Sequence, residues 1–201
     1  MKKVVLFFAF CIVSGFAFSQ DFEISVDFGI GNVMGKDFAR GKYGVYLQPL
    51  YQLGDRYHVG MDLGIGNTLF PGDALIEDEE SVRIESSDYR FIVFHLQQKY
   101  IWPGKKSDKY LGMGLGTTQL NIEINEPSVI PNDEFKTWNF SFGGEAGMRF
   151  EHCQIGLKYL YAGETPSFMG QSIDPLNREV TLEKETAQLL MMTFGYIIDF
   201  K

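Results

Sequence analysis

The residues of this chain that could perform chemistry are its histidines, its clustered carboxylates and its glycine-rich segments. The three histidines, His58, His95 and His152, lie far apart, and no serine–histidine pair is close in sequence. His, Cys and carboxylates do not follow a zinc-ligand spacing. The glycines alternate within strand-like segments instead of preceding a helix, which excludes a dinucleotide-type phosphate loop. We therefore expect no catalytic residue, no cofactor and no metal bound by these residues, and the chain is not predicted to be an enzyme.

The N-terminal stretch MKKVVLFFAFCIVSGFAFSQ has the features of a cleaved signal peptide. Lys2 and Lys3 give a basic start, an apolar core follows, and Ala17-Phe18-Ser19 is a small-residue cleavage site. The apolar run is shorter than the ~20 residues that a membrane-spanning helix needs. We predict a signal peptide over residues 1–19 and a mature domain over residues 20–201. Cleavage leaves one cysteine, Cys153, so no disulfide can form within the mature chain.

The charge balance excludes one class of partner. The chain carries a formal net charge of −8, and loss of the two lysines of the signal peptide makes the mature chain still more acidic. An acidic domain lacks the basic footprint of a protein that binds nucleic acid.

Apolar residues recur at every second position through eight segments of the mature chain, which is the period of a β-strand with two unlike faces. The segments cover residues 22–32, 43–53, 57–69, 88–102, 110–116, 138–150, 153–161 and 189–201. Pro49 lies inside the second segment, and we expect a bulge or a lost ladder bond there because proline cannot donate to the ladder. The connections alternate between long and short. This alternation predicts an eight-stranded antiparallel up-and-down transmembrane β-barrel with short periplasmic turns and long outer loops.

Glycine occurs on the same face as the charged and polar residues, as in YLGMGLG at residues 110–116. In an eight-stranded barrel the interior has room only for side chains, so small residues on the inward face allow large polar ones to fit. We predict that the lumen is filled by a polar network and that the apolar face contacts lipid. The network consists of Glu23, Asp27, Asp62, His95, Lys99, Glu145, Arg149 and Lys158.

Aromatic residues concentrate at the predicted strand ends, as in the interfacial girdles of membrane barrels. The predicted interfacial residues are Tyr57, Tyr100, Trp102, Trp138 and Phe150. The opposite arrangement, a soluble lipocalin-like barrel with the apolar face inside, would expose the glycine-rich face to water, where nothing requires small residues.

A two-residue connection, Glu151-His152, joins the sixth and seventh segments and fixes their register. Counting from Phe150 opposite Cys153 places Glu145 directly opposite Lys158. We predict an ion pair between these two side chains inside the barrel.

The last segment contains TFGYIIDF, in which Thr193, Gly195, Ile198 and Phe200 follow the pattern polar-x-Gly-x-x-apolar-x-apolar. This pattern resembles the C-terminal assembly signal of outer-membrane barrels, although the chain ends on Lys201 and not on the aromatic residue. The mature chain as a whole resembles the small eight-stranded outer-membrane barrels of the OmpA transmembrane-domain, OmpX and OmpW type. The resemblance implies insertion by the outer-membrane assembly machinery of a Gram-negative bacterium, and it implies no particular ligand.

The function that these features favour is a monomeric outer-membrane protein with a filled lumen and a structural or surface-interaction role carried by four outer loops. Its partners would be outer-membrane lipid and lipopolysaccharide. The acidic run EDEE at residues 77–80 could bind Ca²⁺ or Mg²⁺ between lipopolysaccharide molecules or could be a solvated loop. The alternatives are a narrow channel for small solutes or hydrophobic compounds and, third, a lipid-modifying enzyme or a soluble binder.

Overall fold

A computed structural model describes residues 22–34, 41–69, 74–77, 80–85, 89–124, 133–173 and 175–200. The predicted signal peptide and Lys201 lie outside these ranges. Twelve strands occur in the described residues: β1 (Phe22–Val33), β2 (Gly41–Gln52), β3 (Tyr57–Thr68), β4 (Ala74–Glu77), β5 (Ser81–Glu85), β6 (Arg90–Trp102), β7 (Asp108–Ile124), β8 (Asp133–Phe150), β9 (Cys153–Glu164), β10 (Phe168–Gln171), β11 (Glu179–Leu182) and β12 (Thr186–Phe200). Within those same ranges, no helix is long and apolar enough to cross a membrane.

Eight of the strands close into an antiparallel barrel in the order β1-β12-β9-β8-β7-β6-β3-β2. The first barrel strand pairs along its whole length with the last, from Phe22 opposite Phe200 to Val33 opposite Leu189. The predicted fold class, eight strands in an up-and-down antiparallel barrel, is therefore confirmed. Full closure leaves no unpaired strand edge, which is the condition for a sheet to be stable in hydrocarbon.

The short connections set the register as expected. Phe150 pairs with Cys153 across Glu151 and His152, and the ladder continues to Glu145 opposite Lys158. Glu151 adopts a left-handed backbone conformation with φ of 46° at the tight turn. The prediction at Pro49 is also confirmed, in the form of a lost bond. The β2–β3 ladder skips Gln48 and Pro49 and resumes at Leu50 in the same register.

The alternation of exposure along each strand separates an inward face from an outward face. In β1 the residues Glu23, Ser25 and Asp27 are buried, whereas Val26, Phe28 and Ile30 are exposed. The same division holds along β6, where His95, Gln97 and Lys99 are buried. The face that carries glycine and charge is thus the interior of the barrel, and the apolar face is the exterior.

Four further strands form a second sheet, in the order β10-β11-β5-β4, that sequence periodicity does not predict. They belong to the two longest connections, between β3 and β6 and between β9 and β12. The strands β11 and β5 pair in parallel, with Val180 opposite Val82. We call these four strands the cap sheet, because Val82, Val180 and Leu182 pack into one apolar cluster with interior residues at the long-loop end of the barrel.

Candidate functional site

The middle of the lumen holds two lysines and two carboxylates that are each at most 5% exposed. Lys158 donates to Asp62 at 2.5 Å, and Lys99 contacts Glu145 at 2.8 Å. Lys158 also lies 3.9 Å from Glu145, its directly opposed neighbour in the ladder. The expected cross-strand ion pair therefore exists, but it is the longest of the three contacts because each partner has a nearer ion on another strand.

Two glutamines complete this group. Gln97 donates to Glu145 at 2.8 Å, and Gln48 donates to the other oxygen of Glu145 at 3.0 Å. The side-chain oxygen of Gln48 accepts from Lys99 at 2.8 Å. A buried ion pair is stable only when its remaining hydrogen-bonding groups are also satisfied. The two glutamine amides provide these hydrogen bonds to Glu145 and Lys99. We call Gln48, Asp62, Gln97, Lys99, Glu145 and Lys158 the mid-lumen cluster.

Aromatic rings close the cluster on two sides. The ammonium group of Lys158 lies 3.7 Å from the centre of the Tyr46 ring, and that of Lys99 lies 4.7 Å from the centre of the Tyr110 ring. A cation over an aromatic face is attracted by the ring quadrupole. Both tyrosines are at most 2% exposed, so the lysine ammonium groups and the rings pack against each other inside the lumen.

A second polar group lies nearer the short-turn end of the barrel. Arg149 donates to Glu23 at 2.7 Å, and His58 Nδ1 lies 3.4 Å from the other oxygen of Glu23. Between this group and the mid-lumen cluster, Asp27 accepts hydrogen bonds from Ser25 at 2.9 Å and from Gln154 at 2.6 Å. The structure thus connects seven of the eight predicted network residues through three neighbouring contact groups.

His95, the eighth residue, contacts a hydroxyl instead of an ion. Its Nε2 lies 2.7 Å from Ser141 Oγ, and Thr118 donates to the same oxygen at 2.8 Å. A histidine beside a serine hydroxyl has the geometry of a base and a nucleophile. The adjoining cavity, lined in part by Asp62, His95 and Glu145, has a volume of only about 10 Å³. That space accommodates about one water molecule, and His95 and Ser141 are 2% and 0% exposed.

Glycine makes this packing possible, as the alternating pattern predicts. A Cβ atom on Gly112 would lie 2.7 Å from Glu145 Cγ, and one on Gly114 would lie 3.0 Å from His95 Nδ1. A Cβ on Gly64 would lie 2.5 Å from two carbons of the Tyr46 ring. The large polar and aromatic side chains therefore occupy the volume that a side chain on the opposing strand would need.

The outer half of the lumen differs from the expectation of a polar filling. Its buried residues are apolar and form one cluster with the cap sheet: Tyr46, Val82, Tyr89, Phe91, Val93, Leu120, Ile122, Leu160, Ala162, Val180, Leu182, Ala187, Leu189 and Met191. Lys42 is a buried exception, with a hydrogen bond to Thr68 and its ammonium group 4.2 Å from the centre of the Tyr89 ring. The inward face can be apolar here because the cap sheet covers it from above.

The remaining predicted residues occupy the following places. Tyr57, Trp102, Trp138 and Phe150 are exposed on the outward face, and Tyr100 is half-buried there. Thr193 is buried and Gly195 is half-buried in the barrel wall, whereas Ile198 and Phe200 are exposed outward near the end of β12. Asp78 and Glu79 of the acidic run lie outside the described residues, and Glu80 is exposed. Across the described ranges, no group of three or more His, Cys, Asp or Glu residues could hold a metal ion.

Several interior residues that carry no ionic charge are not part of the predicted network. They are Ser25, Gln48, Tyr46, Thr118, Ser141 and Gln154, and each lies on the inward face. Their alternation with exposed apolar neighbours is the same signal that predicts the inward face of the strands.

Large apolar side chains cover the outside of the barrel. On the middle strands Leu96, Leu115 and Phe140 are 69%, 58% and 68% exposed. An apolar surface that encircles a protein is stable only in contact with lipid or detergent. We call this surface the belt. Aromatic rings lie at its short-turn edge, where Tyr100 and Trp102 contact edge-to-face at 4.7 Å and the rings of Phe22 and Phe200 lie 5.9 Å apart.

No protein-family model and no curated protein sequence matches this chain. Among solved structures, the chain is similar to Neisserial surface protein A, with a TM-score of 0.61 and 10% identity over 88% of this chain and 96% of that one. The outer membrane enzyme PagL is similar at a TM-score of 0.47 and 12% identity over 87% and 98% of the two chains. Ail of Yersinia pestis, in complex with the heparin analogue sucrose octasulfate, is similar at a TM-score of 0.48 and 12% identity over 90% of this chain and 99% of that one.

At identities of 10% and 12% the likeness shows a shared fold alone. The apolar belt is the feature that indicates lipid around this fold. Together, the closed barrel and its apolar belt give the chain the fold of the small eight-stranded outer-membrane β-barrels and an exterior suited to lipid.

Proposed function

We propose that this protein is a membrane-embedded barrel that conducts no solute and that presents the cap sheet and its loops at the cell surface for structural or recognition purposes. The observation that carries the proposal is the mid-lumen cluster, in which two buried lysines and two buried carboxylates meet across the barrel at 2.5–2.8 Å. The adjoining cavity of about 10 Å³ has room for about one water molecule, which supports a closed lumen.

The cap sheet supports the second half of the proposal. Its inward side packs on the apolar outer lumen, and its outward side carries Arg83 and Glu183 in an exposed ion pair at 3.1 Å. Met169, Ile173 and Leu176 are 75%, 58% and 69% exposed in the same region. Exposed apolar side chains with a charged surround are typical of a protein-interaction surface.

Planar-bilayer conductance tests the closed lumen. Refolded protein should give no steady openings, and the variant L160G/V93G, which empties part of the apolar outer lumen, should remain silent because the mid-lumen cluster is intact. The variant K99A/E145A/K158A opens the cluster itself and should raise the conductance. Steady openings in the wild-type protein would contradict the proposal and favour the narrow channel.

A further inference from the structure

The outward surface of the barrel is indented at its short-turn end. An open groove of about 870 Å³ lies beneath the turn between β6 and β7 and against the outward faces of β7 and β8. Trp102, Lys109 and Met148 are directly opposed neighbours on three adjacent strands, and all three line the groove. The next row contributes Leu111 and Ala146.

The small side chains of β8 explain the indentation. Ala146 and Gly144 lie on the outward face between Phe142 and Met148, at positions where other strands carry large apolar residues. Of these two residues, Ala146 lines the groove; beyond it, a Cβ atom on Gly144 would meet only a backbone oxygen at 3.8 Å, so the outward surface there is open as well. The floor of the groove is apolar and is continuous with the belt, which makes it suitable for an acyl chain.

Lys109 lines the groove and two more lysines lie on the adjoining turn, although the chain as a whole is acidic, with a formal net charge of −8. Lys105, Lys106 and Lys109 are exposed on the turn and at the start of β7. The carboxylate of Asp108, the first residue of β7, accepts a hydrogen bond from the backbone N–H of Gly104 in the turn at 2.9 Å. The nearby guanidinium of Arg149 is engaged with Glu23 inside the barrel, and Asp55 and Glu151 belong to the two neighbouring turns.

From this arrangement we infer that the groove binds one anionic phospholipid of the periplasmic leaflet. The phosphate would contact Lys109 with support from Lys105 and Lys106, and an acyl chain would lie along Leu111 and Ala146. The short turns of an outer-membrane barrel face the periplasm, and that leaflet contains phospholipid, whereas lipopolysaccharide lies in the opposite one. Clustered lysines at a membrane surface attract anionic headgroups.

Tryptophan fluorescence can measure this preference directly, because Trp102 lines the groove and the second tryptophan, Trp138, lies elsewhere on the belt. Brominated acyl chains quench a tryptophan that they touch. The W138F variant reports on Trp102, and the matched W102F variant reports on Trp138. Each is refolded into vesicles that contain brominated phosphatidylglycerol or brominated phosphatidylcholine.

Quenching of Trp102 should show a preference for phosphatidylglycerol of roughly fivefold or more, the effect expected of one favourable lysine contact. Trp138 should show none. The preference at Trp102 should disappear in K105Q/K106Q/K109Q. Three results would each overturn the inference. They are equal quenching of Trp102 by both lipids, a preference for phosphatidylglycerol at Trp138 as large as that at Trp102, and a preference at Trp102 that persists in K105Q/K106Q/K109Q.

A second variant separates the groove from its charge. A146F fills the floor and keeps all three lysines, so the preference at Trp102 should fall below about twofold. An unchanged preference would show that the lysines act as a diffuse patch and that the groove is not a site. The three lysines and Ala146 point outward, so the variants should still fold. The gel position of unheated protein checks in each case that the barrel is folded.

Discussion

Lys158 illustrates how the interior residues choose their partners. The ladder places Glu145 directly opposite it, yet its nearest ion is Asp62 at 2.5 Å, from a strand on the other side of the lumen. A long side chain on the inner wall of a narrow barrel reaches the axis, so residues of distant strands meet there as easily as those of adjacent strands. The ion pairs inside this barrel therefore depend on closure as well as on register.

This geometry predicts unequal coupling energies. In double-mutant cycles that use Asp62→Asn, Glu145→Gln and Lys158→Met, the Asp62–Lys158 coupling should exceed that of Glu145–Lys158, because the latter contact is 3.9 Å long. Lys158→Met alone should cost ~3–5 kcal/mol, the range for breaking a buried ion pair. Urea unfolding in lipid vesicles measures both quantities. If the Glu145–Lys158 coupling energy equals or exceeds the Asp62–Lys158 coupling energy, Asp62 is not the main partner of Lys158.

Two glycine-to-alanine substitutions compare the inner and outer faces with the same chemical change. Gly64→Ala should destabilise the protein by ~1–3 kcal/mol, the usual cost of overpacking, because its Cβ would lie 2.5 Å from the Tyr46 ring. Gly144→Ala faces outward and should change stability by less than ~0.5 kcal/mol. The free energies of unfolding of the two variants measure whether the inward substitution destabilises the protein more than the outward one. Equal costs would mean that the interior can relax around Tyr46.

At the scale of the strand, the outward face of β7 should respond to charge according to depth. Leu115 is 58% exposed and lies opposite Leu96 and Phe142 in the middle of the belt. Leu115→Arg should cost ~2–4 kcal/mol in a bilayer, whereas the same change at Met148, near the short-turn edge, should cost ~0–1 kcal/mol. Unfolding in vesicles measures the difference. A silent Leu115→Arg would place the belt elsewhere.

The cap sheet is an element made of two loops, and its stability should depend on the apolar side chains beneath it. Val180 is fully buried in the outer cluster, and Val180→Asp would bury a carboxylate among its apolar side chains. We expect the barrel to remain folded while the β9–β12 connection becomes sensitive to protease. The matched change Thr181→Asp, on the opposite face of β11, should leave the connection resistant. Equal cleavage in both variants would show that the cap does not depend on this contact.

For the whole molecule, the two ends of the barrel should lie on opposite sides of the membrane. Met169 is 75% exposed on the cap sheet, and the exposed thiol of Cys153 lies next to a short turn at the other end. A membrane-impermeant maleimide applied to intact cells should label M169C/C153S and should leave the wild-type Cys153 unlabelled until the cells are permeabilised. Labelling of Cys153 in intact cells would reverse the orientation.

The sequence by itself determined the number of barrel strands, the assignment of their faces and the register at the Glu151-His152 turn. These features depend on local rules, namely the period of two along a strand and the geometry of a two-residue turn. The interruption at Pro49 was equally predictable, since a missing N–H is a property of the residue.

Only the tertiary structure decided which interior groups touch. Asp62 and Lys158 are separated by 96 residues, and His95 and Ser141 by 46, and no periodicity reports distances across a lumen. The cap sheet was equally hidden, because its parallel pairing joins short strands of two separate loops. Those strands are stabilised by the apolar lumen that they cover, so their existence depends on a surface that is formed only when the barrel closes.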